Sequence, residues 1–270
     1  MYLGIDIGSV STNAVILNND KKIVGYSIVS SGFDHKTAID KAIRIVCSRN
    51  DISDNQIKSI VSTGYGRKNV AGVTKAITEI SCHARGIHYF SPQTRTLIDI
   101  GGQDSKVIRI DEDGFVDNFV MNDKCAAGTG RFLDVMAHAM EIDIQLMGDL
   151  SLQAKSAIRI SSTCTVFAES EIISKIAEGK PKESIVAGIH QAIGERITGM
   201  ANSIGIRYPV ALSGGVAKNK GVLKAVGKYL DEAPFIPEEP QIIGALGAAI
   251  FAWEESCKLT PGSSLKKRGE

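Results

Sequence analysis

The sequence lacks long apolar runs and lacks an excess of charge of either sign. No run of about 18 apolar residues occurs, so no segment has the composition of a membrane-spanning helix. The 31 basic and 30 acidic residues give a formal net charge of +1, which gives no reason to expect binding to nucleic acid or to an anionic membrane. The first residues also lack a basic stretch followed by an apolar core. We therefore expect a soluble, cytoplasmic protein.

Cysteine is also scarce, with five residues in a chain of 270. The odd number and wide spacing argue against a framework of structural disulfides. Cys47 falls on an amphipathic helical pattern, which predicts a buried thiol. Cys82 and His83 are adjacent, and neighbouring helical residues point about 100° apart, so a shared metal ion is not favoured. Cys257 lies at the end of the last predicted helix.

The other two cysteines, Cys125 and Cys164, each stand in a loop of small residues before a helix-like apolar pattern. The loops read Asn-Asp-Lys-Cys-Ala-Ala-Gly-Thr-Gly at 122–130 and Ser-Ser-Thr-Cys-Thr at 161–165. A helix N-terminus presents unpaired N–H groups and partial positive charge, which stabilise a thiolate or an anionic ligand. A lone cysteine of this kind also fits a small buried turn residue. Two such loops favour a shared chemical role.

A repeated pattern indicates two related subdomains. A strand ending in Asp-Ile-Gly occurs at residues 3–8 and again at 97–101, and a turn and a second strand follow each copy. Asp6 and Asp99 hold the equivalent position. We place the first subdomain at 1–95 and the second at 96–257, with a last helix at 243–257. The tail at 258–270 has the composition of a disordered terminus.

Apolar periodicity predicts the helices of this alternating α/β chain. They are expected near 37–48, 78–88, 131–140, 167–177, 185–204, 221–229 and 243–257.

Three glycine loops that follow strands are typical of nucleotide binding. The backbone N–H groups and hydroxyls of the first loop suit a polyphosphate, and Asp6 and Asp99 are candidate Mg²⁺ ligands, directly or through water. A glycine loop after the strand at 210–212 permits close approach of a base and ribose. The candidate ATP or ADP ligands are Gly8, Ser9, Val10, Ser11, Thr12, Asn13, Gly101, Gly102, Gln103, Asp104, Gly214, Gly215, Ala217, Lys218, Asn219, Gln241 and Gly244.

The order of these loops resembles the phosphate-1, phosphate-2 and adenosine motifs of the acetate and sugar kinase, Hsp70 and actin superfamily. That resemblance implies two duplicated ribonuclease-H-like subdomains with the nucleotide in the cleft between them. The strings at 98–104, 121–134 and 161–171 closely resemble the activators of 2-hydroxyacyl-CoA dehydratases, which are related to the ATPase subunits of benzoyl-CoA reductase. This second similarity extends over residues 2–255.

The activator resemblance implies an ATP-dependent one-electron reductase. Such a protein is a homodimer with one 4Fe–4S cluster at its two-fold axis, and a ferredoxin or flavodoxin is the expected donor. An iron–sulfur dehydratase is the expected acceptor. The number of thiols agrees, because a 4Fe–4S cluster normally takes four thiolates, and a symmetric dimer supplies Cys125 and Cys164 twice.

The resemblance also implies that Asp6, Asp99 and Gln103 serve ATP hydrolysis. Gln103 stands where a carboxylate would be a stronger base. An amide positions water but cannot accept its proton, so we expect slow hydrolysis that depends on conformation or on a partner.

One position departs from the activator pattern and keeps alternatives open. The activators carry Lys where this chain has Asn13, so the sister branch, the ATP-dependent reductases of double-cubane cluster proteins, is an alternative. A small-molecule kinase of the same superfamily is a further alternative, although it needs a carboxylate base and an acceptor pocket. An ATP-binding switch without a cluster and a zinc site at the paired cysteines are less favoured.

Overall fold

The computed structural model describes residues 1–161 and 164–259 and divides them into two compact units. The first unit comprises residues 1–90 and 241–259, and the second comprises residues 91–161 and 164–240. The strands are β1 Tyr2–Ile7, β2 Ser11–Leu17, β3 Ile23–Ser30, β4 Ser59–Gly64, β5 Lys75–Ala76, β6 Thr96–Ile100, β7 Ser105–Ile110, β8 Val116–Asn122 and β9 Val210–Ser213. The helices are α1 His35–Ser48, α2 Glu79–Phe90, α3 Gly130–Ala139, α4 Ile144–Leu152, α5 Thr165–Ala177, α6 Lys182–Ile204, α7 Lys220–Gly227 and α8 Ile243–Leu259.

The sheet of the first unit has the strand order β3-β2-β1-β4-β5. Strands β1, β2 and β3 are antiparallel neighbours, whereas β4 runs parallel to β1. Every residue of β1 is buried, because both faces of the sheet are covered. Leu3, Ile5 and Ile7 pack with α1 on one face, and Tyr2 packs with α8 on the other. This alternation directs Asp6 to the α8 face.

The last helix, α8, packs within the first unit. Its position along the chain predicts that it belongs to the second subdomain, 96–257, and the structure corrects that prediction. A Cβ atom on Gly4 of β1 would lie 2.1 Å from the carbonyl oxygen of Ala245, so the α8 backbone rests directly on β1. This close fit decides the unit to which α8 belongs, and position along the chain does not reveal it.

The second unit contains the four-stranded sheet β8-β7-β6-β9, in which β6, β7 and β8 are antiparallel and β9 is parallel to β6. Its core contains Ile98 and Ile100 of β6, Phe132 of α3 and Ile193 of α6. Helix α3 packs against α5, and α6 packs against α7. The helices predicted from periodicity are present with ends shifted by a few residues, whereas α4 was not predicted. From residue 260 onward the predicted disordered tail lies outside the described residues.

Candidate functional site

The first glycine loop connects β1 to β2 in a short hairpin. The amide of Gly8 donates to the carbonyl of Ser11 at 3.0 Å and closes the turn. Ser9 and Val10 form its tip, and Val10 is exposed. Asp6 pairs with Asn13 across the two strands.

The side chains of Thr12 and Asn13 are buried behind this turn. The Thr12 hydroxyl lies 3.0 Å from the Ser31 hydroxyl, and Ser31 donates to the Gly8 carbonyl at 2.7 Å. Asn13 Nδ2 donates to the Gln241 carbonyl at 3.0 Å. Asn13 Oδ1 is buried without a hydrogen-bond partner in the described part of the chain. Side-chain contact of Thr12 and Asn13 with a nucleotide stays a prediction.

Asp6 lies among glycines and beside a histidine. A Cβ atom would come within 2.5 Å of Asp6 Oδ1 at Gly64 and within 2.2 Å of Asp6 Oδ2 at Gly244, so both positions require glycine. The same atom on Gly244 would lie 2.8 Å from His83 Cε1. In the sequence, His83 is a candidate only for sharing a metal ion with Cys82, a role that is not favoured. Its position near Asp6 could not be recognised, because α8 creates it.

The second glycine loop repeats this hairpin between β6 and β7 with a different counter-group. The Gly101 amide donates to the Asp104 carbonyl at 2.9 Å, and Asp99 pairs with Lys106 across the strands. Lys106 Nζ lies 2.7 Å from Asp104 Oδ2 and 3.4 Å from Asp99 Oδ2. Ser213 Oγ donates to Asp99 Oδ1 at 2.6 Å. Lys106 is only 3% exposed, and both carboxylates are buried.

Lys106 and Ser213 were missing from the sequence-based candidates. A sequence signal existed for Lys106, since it follows Asp99 by the same number of residues as Asn13 follows Asp6. The paired register then places it beside Asp99. Ser213 reaches Asp99 because β9 runs parallel to β6, which the sequence alone does not show. Gln103 is exposed in the turn.

The third glycine loop follows β9. Gly214 has φ +87°, and a Cβ atom there would lie 2.3 Å from the Ile100 carbonyl oxygen, so this position requires glycine. A 3-10 turn covers Gly215–Lys218, and Lys218 pairs with Glu239 at 2.8 Å. The Asn219 side chain caps α7 by accepting hydrogen bonds from the amides at 221 and 222.

Two further candidate ATP or ADP ligands, Gln241 and Gly244, belong to the first unit. Gln241 accepts from Asn13, and Gly244 lies against Asp6. Within that unit both residues contact the first glycine hairpin, and Gly244 also lies against His83.

The Cys125 loop is fixed through its carbonyl groups. Asn122 Nδ2 donates to the carbonyls of Cys125 at 2.8 Å and Ala127 at 3.2 Å. The Thr129 hydroxyl donates to the Ala126 carbonyl at 2.6 Å. Among residues 1–161 and 164–259, the amides at 125–128 have no hydrogen-bond acceptor. The loop therefore has ordered carbonyls and available N–H donors.

An arginine lies against this loop. A Cβ atom on Gly128, where φ is +86°, would lie 3.1 Å from Arg196 Cδ. Arg196 is half-buried, and its Nε is buried without a hydrogen-bond partner in the part of the chain that the structure describes. An unpaired buried donor on a cation is costly unless an anion or acceptor binds there.

The helix after Cys125 is hydrogen-bonded to the second glycine loop. The Gly130 amide donates to the Gly101 carbonyl at 2.9 Å, and the Arg131 amide donates to the Gly102 carbonyl at 2.7 Å. These two donors start α3, where amides have no partner within the helix. The Cys125 loop and the second glycine loop are thus directly connected.

Cys164 is exposed and occupies the N-cap of α5. The segment before it is anchored by Glu171, two turns along the same helix. Both Glu171 carboxylate oxygens accept from the Ser161 amide at 3.0 Å, and one accepts from the Ser161 hydroxyl at 2.9 Å. Residues 162 and 163 lie outside the described part.

Comparisons with known proteins assign the family. A profile of the BadF/BadG/BcrA/BcrD ATPase family matches residues 3–252. The chain belongs to this ATPase family. It is 47% identical over 262 residues to the activator of lactoyl-CoA dehydratase from Anaerotignum propionicum, covering 96% of this chain and 100% of that protein.

Two solved structures are similar over nearly the whole ATPase. The activator of the 2-hydroxyisocaproyl-CoA dehydratase from Clostridium difficile, with bound ADPNP, has a TM-score of 0.91 and 45% identity, covering 96% of both chains. Component A of the Acidaminococcus fermentans (R)-2-hydroxyglutaryl-CoA dehydratase also has a TM-score of 0.91, with 42% identity, covering 94% of this chain and 98% of that one. The predicted family and the actin/Hsp70/acetokinase fold class are confirmed.

The remaining thiols of the ATPase are less accessible than Cys164. Cys47 is buried, as predicted, and burial raises its pKa. Burial raises the pKa of Cys82 to about 12, so this thiol stays protonated. Cys257 is half-buried near the end of α8.

The described residues of this ATPase contain no group of three or more Cys, His, Asp or Glu side chains placed to hold a metal ion. Across the same ranges, none of the helices has the length and apolarity needed to cross a membrane.

Proposed function

We propose that this ATPase is an ATP-dependent one-electron reductase that activates a 2-hydroxyacyl-CoA dehydratase. Two copies of the chain share one 4Fe–4S cluster through Cys125 and Cys164 of each. The cluster, when bound, supplies a group that accepts and releases one electron. The dehydratase class of the acceptor is supported by relatives that are themselves named activators of such enzymes.

The choice of cysteines is supported by their surroundings. Cys164 is exposed and Cys125 is half-buried, whereas Cys47 and Cys82 are buried thiols with raised pKa values. Cys164 directly precedes α5, and Cys125 lies shortly before α3, which packs against α5. Thiolates near helix N-termini are stabilised by the N–H groups there.

The Cys125 loop has donors that suit an anionic cluster. The amides at 125–128 have no acceptor in the described chain, and N–H donors of this kind hydrogen-bond to cluster sulfur and tune its potential. The buried Nε of Arg196 lies against Gly128 and adds a positive charge beside the same loop. These groups fit a bound anion better than they fit a closed structural turn.

The second copy of the chain is supported by ligand number and by the surface of α5. One chain offers two of the four thiolates that the cluster requires. Val166, Phe167 and Ile173 on α5 are 66%, 67% and 53% exposed. Large apolar side chains exposed together mark an interaction surface. An isologous dimer at this surface covers them and brings the same cysteines from both copies together.

ATP hydrolysis is assigned to the glycine hairpins. Asp99, fixed by Ser213 and Lys106, binds Mg²⁺ directly or through water, and Asp6 has the equivalent role in the first unit. The exposed Gln103 orients the attacking water. Because its amide cannot accept a proton, hydrolysis is slow, as a switch requires.

The observation that carries the proposal is the pair of hydrogen bonds from Gly130 and Arg131 to the carbonyls of Gly101 and Gly102. When nucleotide binding or hydrolysis shifts the backbone of Gly101 and Gly102, these hydrogen bonds move the first turn of α3. That turn closes the loop of Cys125. The geometry and hydrogen bonding around the cluster then depend on nucleotide state.

The proposal is tested by anaerobic purification and iron analysis. Wild-type protein is expected to contain about four iron atoms per dimer. Cys125→Ser and Cys164→Ser should lose the iron while retaining ATP binding, and Cys257→Ser should retain both. Iron-free wild-type protein from anaerobic cells, or iron loss in Cys257→Ser, would contradict the ligand assignment.

The acceptor is tested separately. Neutral Asn13, a buried amide bonded to Gln241, is the feature that keeps a double-cubane cluster protein as alternative acceptor. Reduced protein, with a ferredoxin or flavodoxin as proposed donor, is mixed with either acceptor in the presence of ATP. Oxidation by the dehydratase alone supports the activator proposal, and oxidation by the double-cubane protein alone supports the alternative.

A further inference from the structure

A buried lysine lies between two carboxylates at the end of β6. Lys106 Nζ contacts Asp104 Oδ2 at 2.7 Å and Asp99 Oδ2 at 3.4 Å. Two carboxylates and one ammonium group carry a formal charge of −1, and all three side chains are nearly inaccessible to water. Buried charges require compensation, so a cation that approaches Asp99 must compete with the ammonium group of Lys106.

The two carboxylates are held differently. A Cβ atom on Gly101 would lie 2.4 Å from Asp104 Oδ1, so Asp104 is packed tightly in the turn and takes the short contact with Lys106. Asp99 Oδ1 accepts from Ser213 at 2.6 Å, which fixes the direction of its carboxylate. Asp99 Oδ2 has the longer contact with Lys106. The bond between Lys106 and Asp99 is therefore the one that is more easily exchanged.

We propose that Lys106 is the counter-ion of Asp99 in the absence of magnesium, and that Mg²⁺ displaces its ammonium group from Asp99 toward Asp104. This rests on the proposed magnesium-binding role of Asp99. Mg²⁺ prefers carboxylate and water oxygens, so it competes with the ammonium group for the same carboxylate. Lys106 is a positioning residue that keeps Asp99 ordered and sets how strongly nucleotide binding depends on magnesium.

The test compares ADP affinity in EDTA and in Mg²⁺. The measured quantity is the dissociation constant in EDTA divided by the dissociation constant in Mg²⁺, both obtained by calorimetry. A larger ratio means that ADP binding depends more strongly on magnesium. In Lys106→Met, Asp99 has lost its competing cation, so the ratio is expected to rise by at least about tenfold. Asp104→Asn removes the carboxylate that lies nearest to Lys106 Nζ, so the ammonium group pairs more strongly with Asp99. The ratio is therefore expected to fall below that of wild type.

Matched variants separate this role from a structural one. Lys106→Arg keeps the charge and should give a ratio near that of wild type. Lys228→Met removes an exposed lysine of the same unit and should leave the ratio unchanged. Circular dichroism and thermal unfolding check that each variant is folded.

Equal ratios in wild type, Lys106→Met and Asp104→Asn would overturn the inference, as would shifts of both variants in one direction. If Lys106→Met does not fold, Asp104→Asn decides, and a ratio at or above that of wild type overturns it. Wild-type ADP binding that is independent of Mg²⁺ would instead contradict the metal role of Asp99 itself.

Discussion

The two glycine hairpins share a backbone design and differ in the group that faces the aspartate. In each, a glycine amide closes the turn, at 3.0 Å for Gly8 and 2.9 Å for Gly101. In each, the residue that pairs with the aspartate across the strands comes at the same step along the chain. That residue is Asn13 in the first hairpin and Lys106 in the second.

This difference gives the aspartates of the two hairpins different surroundings. Asp6 is enclosed by Gly64 and Gly244, whereas Asp99 is held by the charged Lys106 and by Ser213. The charge-compensated hairpin is also the one whose carbonyls bond to the helix behind Cys125. The second hairpin therefore combines the counter-ion that we propose is exchangeable with a hydrogen-bonded connection to the loop of Cys125, a proposed cluster ligand.

The largest expected effect is on stability. Lys106→Met leaves two buried carboxylates without their cation, and we expect unfolding free energy to fall by about 3–5 kcal/mol. Asn13→Ala removes one hydrogen bond to Gln241 together with an acceptor that has no partner in the described chain, so a loss of only about 1 kcal/mol is expected. Urea unfolding of both variants gives the comparison. Losses of equal size would show that the two hairpins are electrostatically alike.

The next expected effect is a loss of stability at low pH that comes from His190 in the interior of the second unit. His190 Nδ1 lies 2.9 Å from Ser151 Oγ, and Ser151 donates to the Gly148 carbonyl. His190 Nε2 lies 3.4 Å from Asn219 Nδ2. These contacts suit a neutral ring that donates from Nδ1. Burial lowers the pKa of His190 from 6.5 to about 4.

Because this pKa is depressed in the folded state, the unfolded chain binds the proton first as pH falls. The stabilisation is complete above pH 6.5 and is lost progressively down to about pH 4. The expected loss is about 3 kcal/mol. The difference between wild type and His190→Gln, measured by urea unfolding across this range, isolates the contribution. A pH-independent difference would contradict it.

The first unit should respond at the opposite end of the pH scale. The pKa of Cys82 is raised from 9.0 to about 12, so its contribution is present below pH 9 and is lost as pH rises toward 12.

Local patterns predicted much of this molecule. Features that depend on residues adjacent in the chain can be predicted from the sequence. Examples are the repeated Asp-Ile-Gly strand ends and the small-residue loops around Cys125 and Cys164. Residues brought together by packing were not recognised. His83 comes close to Asp6 because α8 lies on β1, and Ser213 reaches Asp99 because β9 pairs with β6.

The placement of α8 shows the same limit. Its alanines fit directly over Gly4, and no periodicity in a single segment indicates which distant strand lacks a side chain at the right place. Arg196 lies against Gly128 for a similar reason, since α6 and the Cys125 loop are far apart in sequence. Contacts of this kind follow from the shapes of two surfaces together.

A smaller effect tests whether only the second hairpin is connected to the cysteines. In Gly101→Ala the new Cβ atom would lie 2.4 Å from Asp104 Oδ1, so Asp104 and its partner Lys106 must move. We expect ATP hydrolysis to fall by about ten- to hundredfold, because small displacements of groups that position the reactants are costly. The Gly101 carbonyl also accepts from Gly130, so movement of residue 101 displaces this hydrogen bond and the response of the proposed cluster to nucleotide should be lost.

Gly8→Ala is the matched change in the first hairpin, where the Cβ atom would lie 2.9 Å from the Ser11 carbonyl oxygen. Hydrolysis should slow here as well, but the first hairpin belongs to the other unit, and its Gly8 and Val10 carbonyls accept from Ser31. At saturating nucleotide, the spectrum of the reduced cluster should still differ between ATP and ADP in Gly8→Ala and should not differ in Gly101→Ala. Gly199→Ala, with open space around the new methyl group, controls for the substitution itself. Loss of the nucleotide response in both hairpin variants would mean that the Gly101–Gly130 bond is not the connection, because the first hairpin has no such bond to break.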